Sequence, residues 1–346
     1  MLRLREFLSI DRGVSTPKSS HDTTSGSRDN GGHLSNRMTP RQLFYLVSAV
    51  CLLPYLPIWA GLLIGVAWAL AFGNPCPEIT RPGAKKLLAL SIVGLGAGMD
   101  LGVVAKTGVS GVGYTFVGIL ATLGLGTLFA RWIRVPGQLG LLISVGTAIC
   151  GGSAIAAVAA VLDPPEEETS LALATVFLLN ACALLFFPSV GSWIGLDARQ
   201  FGLWSALAIH DTSSVVGAAI QYGGEALEVA TTVKLARALW IVPLALSISA
   251  WKHSSSKKKK ITFPWFIVGF LVAAALVTYF PVLRPAGQWV NALAKRLMVV
   301  TLFWIGMGFS PQAIKKVGFR PIGLGLSLWL VVGAISLLAI YEGWIR

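Results

Sequence analysis

Two apolar stretches of this chain are interrupted in the middle, GTAICGGSAIAAVAAVL (146–162) and ALAIHDTSSVVGAAI (206–220), by residues that a hydrocarbon interior excludes. Unpaired backbone N–H and C=O groups cost several kcal/mol each in lipid, so an interruption at that depth must face protein, water or a ligand. The pattern predicts a binding site at the level of the two breaks.

The rest of the composition fits a membrane. Of 346 residues 55% are hydrophobic and only 12% charged, and the mean hydropathy is +0.72, which places the chain among polytopic membrane proteins. The net charge of +13 is spread between apolar spans rather than along a groove-sized stripe, so nucleic acid is excluded as a partner. Cys51, Cys76, Cys150 and Cys182 show no metal-ligand or C-x-x-C spacing, so neither a disulfide framework, a metal site nor a cofactor is expected. Residues 1–38 are polar and read as a disordered cytoplasmic tail, with His21 and His33 as surface residues, ahead of a transmembrane domain over 39–346.

Windows long enough to cross fall near 41–56, 57–73, 86–99, 108–130, 139–161, 170–190, 201–220, 229–250, 263–280, 294–309 and 321–341. The expected fold is all-α, a bundle of about eleven spans with two interrupted helices; only Pro54 to Pro57 separates the first two windows. With the N-terminus inside, 21 of the 28 Lys and Arg residues fall on the cytoplasmic side and 5 outside, while Lys234 and Arg237 lie within a span. That asymmetry predicts an inner-membrane protein with its N-terminus in the cytoplasm. The run Lys257 to Lys260 reads as an anchor for that topology, and the acidic residues Asp163 and Glu166 to Glu168 as loop charges on the outer side.

The segment 85–108 aligns without gaps to 295–318, pairing Lys85, Leu87, Gly96, Gly98, Lys106 and Gly108 with Lys295, Leu297, Gly306, Gly308, Lys316 and Gly318. The two run in opposite directions in this topology, as an inverted repeat requires. A weaker likeness relates the two interrupted stretches at an offset of 60, but there both copies point the same way. Re-entrance of one segment, a permuted order and a shared small-residue composition all account for it at this level.

At the first break, Cys150-Gly151-Gly152-Ser153 precedes a helix whose free N–H groups and positive dipole end suit an anion. The plainer alternative is that the small residues let helices approach closely. At the second, Asp211 is placed to cap the helix that begins Thr212-Ser213. A carboxylate at this depth calls for a cationic partner or a proton, and His210 beside it can share that proton. Lys234 and Arg237, three residues apart on one helical face, are the expected partners; with Asp211 they leave the site net positive, which favours an anion. A purely structural ion pair between two helices is the alternative. No G-x-S-x-G or H-E-x-x-H segment occurs, and no enzymatic activity is expected.

These motifs, AICGGSAIAAVAAVLDPPEEETSLALATVFLLNACALLFFP, HDTSSVVGAA, VKLARALWIVPL, KKKKITFPWFIVGF and IGMGFSPQAIKKVGFRP, resemble in order and kind the bacterial YeiH-like family, whose name assigns it sulfate export. The resemblance covers nearly the whole chain beyond about residue 40. It implies a transporter, and a distant similarity to the cation–proton antiporter and bile-acid symporter superfamily implies inverted repeats with interrupted helices beside a second domain. Where some relatives carry His-Glu at the second break this chain has His210-Asp211, which keeps the charge and shortens its reach.

The expectation is a secondary active transporter exporting a small inorganic or organic anion such as sulfate. The anion would lie between Gly151-Gly152-Ser153, with Thr212 and Ser213, and the Lys234/Arg237 face; Asp211 with His210 would exchange it for a proton. Its partners are then the anion, the proton and the lipid bilayer, with a homo-oligomer left open. A sodium/proton antiporter and a non-transporting membrane assembly subunit are the rival readings.

Overall fold

The computed structural model describes residues 39–252, 265–309 and 318–345. The N-terminal tail, the Lys257 to Lys260 run and the Lys316 end of the second repeat lie outside the described residues. The helices are α1 (Pro40–Val50), α2 (Ile58–Phe72), α3 (Pro77–Gly96), α4 (Leu101–Ile133), α5 (Gly137–Ala148), α6 (Gly152–Leu162) and α7 (Glu166–Ile194). They continue as α8 (Ala198–Ala208), α9 (Thr212–Tyr222), α10 (Ala226–Ala238), α11 (Ile241–Lys252), α12 (Trp265–Tyr279), α13 (Arg284–Gly306) and α14 (Phe319–Tyr341). No strand occurs among the described residues. Five segments are long and apolar enough to cross a bilayer: α4, α7, Ala226–Ile248, Pro281–Gly306 and α14.

Local chemistry sets the starts. Thr39 and Asp197 form capping boxes with Gln42 and Gln200, and the Asp100 carboxylate accepts from Gly102 N–H at 2.8 Å to open α4. The described parts of the two aligned segments lie side by side and run in opposite directions. A methyl at Gly94 would lie 2.8 Å from Ala294 Cβ and one at Gly83 against Trp304, so α3 and α13 pack antiparallel. Both end at their aligned glycines, Gly96 and Gly306. α2 runs beside α13 through Gly61 and Gly65, and α12 beside α3 through Gly96 and Gly269, a seam of small residues that lets backbones close without lipid between them.

The two interrupted stretches fold back rather than cross. Phe201, near the start of α8, stacks on Tyr222, at the end of α9, with ring centroids 3.8 Å apart and planes within 3°. Straight through, about 20 helical residues would hold them roughly 30 Å apart. The Tyr222 hydroxyl also donates to the Leu196 carbonyl. In the first stretch a methyl at Gly146 would lie 2.8 Å from the Ile155 side chain, nine residues on, and 3.2 Å from Val176. Each arm of 11 or 12 residues reaches about 17 Å, half a hydrocarbon core.

The windows 139–161 and 201–220 are therefore re-entrant hairpins, and the expectation that each is a single pass is corrected. This also resolves the offset of 60: α6 and α9 begin at Gly152 and Thr212 and end at Leu162 and Tyr222, in register. Because α7, about 43 Å long, passes once between them, the hairpins enter from opposite ends and the pair is inverted. Hydropathy fixed where the helices break but carries no record of direction after a break.

Candidate functional site

Tip one is Ile149, Cys150 and Gly151; tip two is Ile209, His210 and Asp211. Gly151 has φ +67° and ψ −125°, a conformation that side chains with a Cβ avoid, and its N–H closes α5 on the Gly146 carbonyl at 2.9 Å. A methyl here would stand 3.5 Å from Cα and Cβ of Asp211 and from the His210 carbonyl oxygen. The two tips are thus in contact, and four helix ends converge: the carbonyl ends of α5 and α8 and the amide ends of α6 and α9.

The carbonyl ends carry partial negative charge and unpaired oxygens, and α10 supplies the cations that meet them. Arg237 donates from Nε to Ala148 O at 2.6 Å, from Nη1 to Leu207 O at 2.7 Å and Ala206 O at 3.3 Å, and from Nη2 to Thr147 O at 3.4 Å. Lys234 Nζ donates to Ile209 O at 2.6 Å and Ala206 O at 3.3 Å. Both side chains are fully buried. The ion pairing of Asp211 with these cations expected from the sequence does not form; among the described residues the salt bridge is Arg41 with Glu78, at the surface. The carbonyls win because there are five of them at fixed positions, whereas the Asp211 carboxylate turns to its own helix.

At the amide ends the two hairpins differ. The Asp211 carboxylate caps α9, accepting from Ser214 N–H at 3.2 Å and from the Ser213 and Ser214 hydroxyls. Asp211 is partly exposed, whereas Thr212 and Ser213 are buried. The counterpart of Asp211 in the first hairpin is Gly151, so α6 has no side-chain cap. Among the described residues no acceptor meets the N–H of Gly152, which is partly exposed, or of Ser153, which is exposed.

Asn180 of α7 completes the junction. Its Oδ1 accepts from the His210 N–H at 3.0 Å and the Asp211 N–H at 3.2 Å, which fixes the carboxamide and leaves Nδ2 at the junction without a partner, although the residue is 2% exposed. Both ring nitrogens of fully buried His210 and the Thr147 hydroxyl are likewise unpartnered. Buried polar groups in that state cost about 1–3 kcal/mol each unless a ligand or water meets them. The sequence reading passed over Asn180; its signal is a lone carboxamide in the apolar run TVFLLNACALLFF. Among the described residues no cluster of three or more His, Cys, Asp and Glu could hold a metal ion.

Residues 52–325 match the model of a family described as conserved hypothetical protein 698. The chain is 52% identical over 307 residues to a UPF0324 membrane protein of Bdellovibrio bacteriovorus, covering 88% of this chain and 94% of that one. It is 45% identical over 304 residues to one of Geobacter sulfurreducens, covering 88% and 97%, and 48% identical over 282 residues to one of Porphyromonas gingivalis, covering 80% and 84%. No solved structure matches.

Proposed function

The chain belongs to the YeiH-like family of membrane proteins, described as conserved hypothetical protein 698, and from that membership and the meeting of its two tips we propose that it is a secondary transporter of a small oxyanion. The supporting observation is the junction itself: hairpins from opposite ends touch at Gly151 and Asp211, and the α6 amide end beside them is uncapped. Re-entrant tips that meet halfway suit a site reached from either face in turn, which supports this reading.

The oxyanion, sulfate being the expected one, is bound by the Gly152 and Ser153 N–H groups, the Ser153 hydroxyl and Asn180 Nδ2. Ser213 steadies the neighbouring tip through its hydroxyl on the Asp211 carboxylate, with Thr212 buried beside it. Lys234 and Arg237 contribute charge through the field while their donors hold the backbone, and Asp211 with His210 couples the site to protons. Two fixed cations in the junction disfavour the sodium/proton reading. The role is that of a carrier rather than an enzyme.

The proposed setting is the inner membrane with a cytoplasmic N-terminus. Folding back the hairpins moves Arg199 to the outer side and the acidic run at 163–168 to the inner side, and leaves the assignments of the other Lys and Arg residues intact.

Sulfate flux into proteoliposomes, with and without a pH gradient, tests this proposal. Native protein is expected to carry sulfate, and Asn180→Asp and Arg237→Ala to lose it. Equal flux in all three removes the site, cation flux that ignores added anions supports the antiporter, and no flux of any ion supports an assembly subunit.

A further inference from the structure

The internal repeat makes Gly151 the counterpart of Asp211: where α9 carries a capping carboxylate of its own, α6 carries none. Resting on the transporter reading above, we propose that the oxyanion caps the α6 amide end, as the Asp211 carboxylate caps that of α9, and that it binds there together with a proton on Asp211.

Two observations converge on that place. The Gly152 and Ser153 N–H groups have no acceptor among the described residues, and the buried Asn180 carboxamide, held at Oδ1 by tip two, leaves its Nδ2 hydrogens unpaired at the same junction. Gly152 packs against Phe177, one helical turn before Asn180 on α7. An oxyanion on these donors is a second negative charge close to Asp211, since the missing Gly151 side chain would start 3.5 Å from Asp211 Cα and Cβ. Like charges held side by side at one junction repel, and a proton on the carboxylate relieves the pair.

The other titratable or charged groups around Asp211 are Cys150 of tip one, His210 of its own tip, and Lys234 and Arg237 of α10. α7 presents Asn180, and α2 and α13 reach α9 at Gly217 with Ile58 and Leu302. Lys234 and Arg237 are held by carbonyls, and Asp211, partly exposed beside the α6 amide end, is the group placed to respond. Linkage then fixes the sign: anion binding takes up a proton, and protonation tightens anion binding. Anion and proton move in the same direction, which reverses the exchange expected from the sequence.

The experiment is calorimetric titration of the full chain in detergent with sodium sulfate, phosphate and acetate in turn, in two buffers of different protonation heat. The native protein is expected to take up about one proton per oxyanion and to bind the anion more weakly as the pH rises. Asp211→Asn is expected to bind the anion with no proton uptake and little pH dependence, and Asp211→Glu to restore both. Proton release or no proton change in the native protein overturns the inference, as does uptake that persists in Asp211→Asn. Failure of all three anions to bind either protein overturns the site itself.

Discussion

Arg237 donates from Nε to the Ala148 carbonyl at 2.6 Å, tying α10 to the inner end of the first hairpin while its Nη1 holds Leu207 of the second. One side chain therefore sets the separation of the two tips. Arg237→Ala leaves up to four carbonyl contacts unmet in a buried place, and the expected cost is roughly 3–5 kcal/mol. Thermal unfolding in detergent checks this; a change under about 1 kcal/mol would show that water replaces the guanidinium without loss.

Asn180 separates holding the tip from the proposed contact with the anion. Asn180→Asp keeps the oxygen that accepts from the His210 and Asp211 N–H groups and puts negative charge where Nδ2 stands. The expected result is an unfolding midpoint near native with sulfate affinity down at least about tenfold, the worth of roughly 1.4 kcal/mol. Native affinity in this variant would place the anion elsewhere.

Gly151→Ala tests conformation rather than space. Its methyl would sit in ordinary contact with Asp211, but φ +67° with ψ −125° suits glycine alone. A loss of roughly 1–3 kcal/mol is expected from backbone strain. Gly152→Ala meets Phe177 at 2.9 Å instead, and its cost should fall when Phe177 is shortened to Leu, whereas the cost at Gly151 should not.

The fold-back has a covalent test. A methyl at Gly224 would lie 2.9 Å from Ala198 Cβ, so Ala198→Cys with Gly224→Cys, with the four native cysteines replaced, is expected to oxidise readily to an intramolecular disulfide. In a straight crossing those positions stand roughly 35 Å apart, and no bridge forms. Mass spectrometry of the oxidised peptide decides.

Much of this architecture was legible in the chain. The breaks at Gly151 and Asp211, the gapless repeat ending at Gly96 and Gly306, and the burial of Lys234 and Arg237 all follow from hydropathy, small-residue spacing and the expense of charge in lipid. What escaped depends on contacts distant in sequence. The clasp of Phe201 on Tyr222 spans 21 positions, and nothing local to either ring announces it. The partner of the cations was misjudged because a carboxylate is visible in sequence, whereas helix-end carbonyls become acceptors only once two helices stop side by side. Asn180 was missed because its role is to bind backbone, which has no sequence signature.

The α5–α6 hairpin followed by α7 has a geometric consequence of its own. A unit that dips in, returns and then traverses once has odd parity, so every tandem copy is delivered upside down relative to the one before it. Two hairpins entering from opposite ends come with a single duplication, and only afterwards need the copies diverge, Gly151 in one and Asp211 in the other, to tell their otherwise equivalent ends apart.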